Sequence, residues 1–140
     1  MANPVTPNDA YDPSGCRVLI VDDNAEGCRA LSKFLEISGF AVTVAADGAS
    51  ALAALRNGRP PDFLLTDLML PDLDGLEVAR RARELRPAPR IALITGWSME
   101  DQAPEAVRGI DWVFPKPLNV RALVETLRNS APRSEGQRES

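Results

Sequence analysis

A chain of 140 residues, 44% hydrophobic, 26% charged and only 5% aromatic, has room for one domain with an aliphatic core. Its net charge of -4 opposes the phosphate neutralisation that nucleic-acid binding requires, and the complete lack of histidine excludes Ser-His-Asp hydrolases and HExxH metalloproteases. No apolar run approaches the roughly 20 residues of a membrane span, and Cys16 and Cys28, without CxxC spacing, read as reduced packing residues of a cytoplasmic protein.

Residues 1–15 carry Pro4, Pro7 and Pro13 with no apolar period, and read as a flexible tail rather than a secretory signal. Val18-Leu19-Ile20-Val21 predicts a first strand that ends abruptly in Asp22-Asp23. Leu31, Phe34, Leu35 and Ser38 then keep helical spacing, and Gly39 is placed to stop that helix. Ala41 to Ala45 is the second strand. Asp47 can cap a helix with Ala51, Leu52 and Leu55 inward, ending at Gly58. Phe63-Leu64-Leu65-Thr66 is the third strand and delivers Asp67. Val78, Ala79, Ala82 and Leu85 predict a third helix that stops before Pro87. Ile91-Ala92-Leu93-Ile94 is the fourth strand, followed by Thr95. A fourth helix is expected with Pro104 in its first turn and Ala103, Ala106 and Val107 on a narrow apolar face. Trp112-Val113-Phe114 is the fifth strand, running into Pro115-Lys116-Pro117. Val120, Leu123, Val124 and Leu127 mark the last helix at i, i+3, i+4, i+7. Residues 16–130 form the expected domain, and residues 131–140 offer nothing to a core and read as a disordered tail.

Five βα units with apolar strands imply an α/β, doubly wound parallel sheet in the flavodoxin-like (βα)5 order 2-1-3-4-5. Ligands of such sheets bind at the carboxyl ends of the strands. The residues there are Asp22, Asp23, Asp67, Thr95 and Lys116. Clustered carboxylates repel one another unless a cation intervenes. Without histidine the natural cation is hard and oxygen-seeking, Mg²⁺ with Mn²⁺ as substitute. An aspartate can act as nucleophile toward phosphorus, with Lys116 and Thr95 receiving the phosphoryl oxygens.

Each residue also has an ordinary reading. Asp22-Asp23 would suit the dipole of a helix start. Asp67 alone would pass for a solvated loop residue, and Thr95-Gly96 for a turn. Pro71 and Asp74-Gly75 read as structural, setting the turn into the third helix. Lys116 between two prolines is harder to explain without a site for it to face.

The string Asp67-Leu-Met-Leu-Pro71-Asp72-Leu-Asp74-Gly75 resembles the DxxLPxxDG signature of two-component receiver domains. VLIVDDN at 18–24, LITG at 93–96 and PKP at 115–117 are similar to the family's other motifs, in order and at matching intervals, so the resemblance covers about residues 16–130. It implies Asp67 as phosphoacceptor and metal-holding residue, Asp23 as a direct metal ligand, Asp22 as holding the metal through water or directly, and the Met69 backbone carbonyl as completing the coordination. Thr95 and Lys116 would bond the phosphoryl oxygens, Thr95 shifting toward them, and the Lys116-Pro117 peptide would be cis. The implied donor is a phosphohistidine on a sensor histidine kinase or a histidine phosphotransfer protein, and the downstream protein is unnamed. The module would be a switch rather than a turnover enzyme, a monomer or a phosphorylation-dependent dimer. It would bind neither nucleic acid nor membrane.

Many receivers carry Tyr or Phe where this chain has Val113, which lacks the reach of an inward-swinging ring. Trp97 could compensate, or equally it could simply cap the pocket or pack on the fourth helix; a side chain of that size could also obstruct attacking water and slow hydrolysis of the acyl phosphate. A binding-only pseudo-receiver is opposed by the presence of all five pocket residues. A flavodoxin-type phosphate cradle is opposed by Asp22-Asp23, and a haloacid-dehalogenase-type phosphatase by Met69, which stands where that chemistry needs a general acid. With Met1 at its start and no output domain after the last helix, a stand-alone receiver is expected, a piece of a larger regulator being the alternative.

Overall fold

Neighbouring residues of the central strands face opposite sides of one sheet, and both sides are apolar. The computed structural model describes residues 15–58, 60–96 and 107–130. The chain runs β1 (Arg17–Val21), α1 (Ala25–Ile37), β2 (Ala41–Ala45), α2 (Gly48–Arg56), β3 (Phe63–Asp67), α3 (Gly75–Ala82), β4 (Arg90–Thr95), β5 (Trp112–Pro115) and α4 (Val120–Ser130). All strand pairs are parallel, in the order β2-β1-β3-β4-β5. This is the flavodoxin-like doubly wound sheet expected from the sequence.

Strand parity sorts the core into two layers. Val18, Ile20, Phe63, Leu65, Ala92 and Ile94 pack beneath α1 and α4 with Leu31, Leu35, Leu123 and Leu127. Leu19, Val21, Leu64 and Ile91 point the other way, toward Ala51 and Leu55 of α2 and Val78, Ala79 and Ala82 of α3. Every residue of β3 is buried, as the middle strand of a two-sided sheet must be. Cys16 and Cys28 are buried thiols in the α1/α4 layer, with no disulfide between them. No helix among the described residues is long and apolar enough to cross a membrane.

The helix starts are capped by short polar side chains. Asn24 accepts from the Gly27 amide at 3.0 Å, Asp47 from Ser50 at 2.8 Å and Asp74 from Leu76 at 2.9 Å. Gly39, at φ 105°, turns the chain out of α1 as expected.

Three expectations change. The inner face of α1 is Cys28, Leu31 and Leu35, whereas Phe34 is 45% exposed. Phe34 lies at the margin of the buried stripe formed by Cys28, Leu31 and Leu35. The third helix ends at Ala82, because Glu84 and Leu85 donate to Arg81 and Ala82 in tighter i to i−3 turns. Leu85 still packs on the α2/α3 layer. The second helix ends at Arg56, just short of Gly58. The last helix follows its predicted pattern, with Leu123, Val124 and Leu127 buried. The expected tails lie outside the described residues except for Gly15, and so do Trp97 and the expected fourth helix except for Val107.

Candidate functional site

Register brings the acidic residues together before any side chain is considered. Val21 pairs with Thr66 and Asp67 with Ile94, so Asp22 leaves β1 beside Asp67, with Thr95 one residue past Ile94 on β4. Thr95 pairs in turn with Pro115 on β5, which sets Lys116 at the same end of the sheet. The Lys116 amide donates to the Thr95 carbonyl at 3.1 Å, and the Lys116-Pro117 peptide is cis, as is Arg86-Pro87.

At the centre lies Asp67, 8% exposed. Its Oδ2 accepts from Lys116 Nζ at 2.8 Å and its Oδ1 from the Met69 amide at 3.1 Å. Asp22, Asp23 and Asp67 each offer a carboxylate oxygen within 4.8 Å of the others. Three carboxylates against one ammonium leave two negative charges uncompensated, which matches a hard divalent cation on oxygen ligands. The donor set contains no sulfur or imidazole that would favour a softer metal. Thr95, 2% exposed, is held at the strand end beside this group.

The charges act on one another. Burial pushes the Asp22 carboxyl above its ordinary value, and the neighbouring Asp67 and Asp23 add to that rise. The Asn24 amide, which donates to Asp22 Oδ1 at 3.0 Å, and Lys116 work against it. The hydrogen bond to Asp67 holds Lys116 above the usual lysine range, strengthening its charged state. Burial, followed by Asp22 and Asp23, raises the Cys28 thiol to about 11, so this residue is an inert wall and not a nucleophile. Cys28 also lines a cavity of about 350 Å³ together with Asp67, Lys116, Leu31 and Leu118.

The loop after β3 is shaped by its sequence. Met69 and Asp74 form an antiparallel bridge, and the Gly75 amide donates to the Leu68 carbonyl at 2.7 Å. A Cβ on Gly75 would run into the Asp67 carbonyl oxygen and lie 2.9 Å from its carbon. Glycine here lets α3 begin against the end of β3.

All five side chains singled out in the sequence are thus at the carboxyl end of the sheet, with Met69 joined to them through its amide. Two contributors escaped sequence reasoning. Asn24, which caps α1 and donates to Asp22, carried a readable signal as a polar residue just ahead of a helix. Asp72 carried none, since its partners lie on α2, more than 20 residues upstream.

The family model of the response regulator receiver domain matches residues 18–128. The chain is 38% identical over 112 residues to the response regulator receiver protein CpdR of Brucella abortus (strain 2308), covering 79% of this chain and 92% of that one. It spans about half the length of the transcriptional regulatory proteins and other response regulators that it also matches. Among solved structures it is similar to the response regulator TrrA from Thermotoga maritima in complex with Mg(2+)-BeF, at 27% identity and TM-score 0.71 over 81% of this chain and 97% of that one. A response regulator protein from Burkholderia pseudomallei with a phosphorylated aspartic acid, calcium ion and citrate is similar at 30% identity and TM-score 0.73, over 82% of this chain and 68% of that one. The match runs from β1 into α4, across every strand of the sheet, and the chain belongs to the response regulator receiver domain family of two-component systems.

Proposed function

We propose that the chain accepts a phosphoryl group on Asp67 from a phosphohistidine donor and works as a switch in two-component or phosphorelay signalling. One observation carries this reading: three carboxylates converge within 4.8 Å while an ammonium holds the second oxygen of the most buried one. What the Thermotoga and Burkholderia relatives carry supports the same use of the site.

Asp22, Asp23, Asp67 and the Met69 backbone carbonyl are the residues that would hold Mg²⁺, or Mn²⁺ in its place. Bound there, the ion supplies charge neutralisation for the phosphoryl oxygens. A carboxylate oxygen of Asp67 attacks phosphorus as the phosphorus–nitrogen bond of the donor breaks. The electron pair returns to the imidazole, which takes up a proton. Lys116 follows the negative charge from Asp67 Oδ2 to a phosphoryl oxygen, and the Thr95 hydroxyl donates to another. Met69 stands two residues after Asp67, where a haloacid-dehalogenase-type phosphatase needs its general acid, which supports a switch over a turnover enzyme.

The donor is a sensor histidine kinase or histidine phosphotransfer protein of the cytoplasm, and the output is a change in the surface offered to a downstream protein. Intact mass after incubation with acetyl phosphate and Mg²⁺ tests this directly. Wild type is expected to gain one phosphoryl group, and Asp67→Ala or addition of a chelator is expected to prevent it. A gain that persists in Asp67→Ala would place the acceptor elsewhere.

A further inference from the structure

The first turn of a helix leaves amides without intrahelical acceptors. On α2, Asp47 takes the Ser50 amide. The amides of Gly48 and Ala49 are taken by a residue from another part of the chain, Asp72, at 2.7 and 3.0 Å. These two bonds hold the Asp72 carboxyl below the usual aspartate range. Leu73 lies over the same turn: a Cβ at position 48 would stand 2.5 to 2.7 Å from its side-chain carbons, so the loop can settle there only on a glycine. The loop between β3 and α3 is therefore fastened at three places. Its tip is held on α2, its base is closed by the Met69–Asp74 bridge, and its first residues reach Asp67 through the Met69 amide. The helix serving as anchor is itself fixed, with Ala51 and Leu55 buried against Leu19, Val21 and Leu64.

We propose that Asp72 is a positioning residue for the Asp67 site: by bridging the first two amides of α2, it holds the 68–74 loop so that Met69 stays on Asp67. The proposal rests on the reading of Asp67 as a metal-holding phosphoacceptor. It differs from helix capping in its consequence. A cap stabilises α2, whereas this carboxylate also sets the orientation of a carboxylate on another strand. Without it, the loop keeps its base but loses its tip, and the Met69 amide no longer has a fixed place.

Asp47→Ala is the matched control, because it removes a carboxylate from the same helix start without touching the loop. Magnesium binding is measured by titration calorimetry on wild type, Asp72→Ala, Asp72→Asn and Asp47→Ala, and amide exchange at Met69 is followed in the metal-free proteins. Asp72→Ala is expected to bind magnesium about tenfold more weakly, as loss of an outer-shell partner does, with faster exchange at Met69. Asp72→Asn, which keeps one accepting oxygen, is expected to fall between it and wild type; it carries the test if the alanine variant does not fold. Asp47→Ala is expected to melt earlier while keeping wild-type magnesium affinity and Met69 exchange. Unchanged affinity and exchange in Asp72→Ala, or equal losses in Asp47→Ala, would overturn the proposal. Wild type that binds no magnesium, with Met69 exchange still raised in Asp72→Ala, would sink the metal reading and leave the strap standing.

Discussion

The Asp22 carboxylate sits in a place that works against its charge. It is partly buried and faces two other carboxylates, and its carboxyl is raised in consequence. A raised acid is one whose ionised form is less welcome in the folded chain than in the unfolded one, so ionisation at neutral pH costs stability. A cation held there would offset that cost. Asp22→Asn, which keeps an oxygen for the Asn24 amide, is therefore expected to raise the melting temperature of the metal-free protein at neutral pH by a few degrees while weakening magnesium binding. Thermal melts with chelator, paired with a magnesium titration, check both halves. A variant melting below the parent would mean that the lost attraction to Lys116 outweighs the relief. Lys116 is a different case. It is half exposed, and such ion pairs add at most about 1 kcal/mol; its position is better explained by what it does to Asp67 than by what it does for the fold.

At the scale of elements, the junction of β3 and α3 has the least tolerance. The Gly75 amide bonds Leu68, and the space where its side chain would stand is filled by the Asp67 backbone. Gly75→Ala forces the helix start away from the strand, at about 1–3 kcal/mol by analogy with overpacked cores. The same shift displaces the acceptor. Urea unfolding is expected to show that loss, and phosphorylation by acetyl phosphate is expected to fall by more than the lost stability explains at temperatures where the variant remains folded. A Gly75→Ala protein with wild-type stability would show that α3 can slide without strain. By contrast, the exposed pairs of Arg80 and Arg81 with Glu77 on the outer side of α3 set neither the junction nor the site.

Across the whole molecule, the magnesium reading has a thermodynamic signature. An ion that binds only the folded chain stabilises it by about 2.7 kcal/mol at a concentration a hundredfold above its dissociation constant. Magnesium is expected to raise the melting temperature of wild type and to have little effect on Asp23→Asn or Asp67→Asn, as differential scanning calorimetry with and without chelator would register. An equal rise in all three would point to a cation site elsewhere. The sheet and the pocket were legible because they follow from local rules. Apolar runs alternate with helical periods, and in a parallel sheet the residue after each strand is delivered to one end, so Asp22, Asp67, Thr95 and Lys116 could be placed together from sequence alone. The bond from Asp72 to α2 obeys no such rule, since contacts between distant loops leave no period behind. Phe34 misled for a related reason: helical spacing defines a stripe but not how far it is buried, and Phe34 falls outside the buried Cys28, Leu31 and Leu35.

The contact between Lys116 and Asp67 spans 49 positions of chain, and Lys116 comes from the last loop before the final helix. A protein made from its N-terminus therefore acquires its three acids well before their counter-charge, and only closure of β5 against β4 delivers it. Before β5 pairs with β4, Asp67 lacks the ammonium that Lys116 brings to it in the folded chain. If Asp67 is the acceptor, as proposed, the pocket that serves it is complete only once β5 has paired with β4.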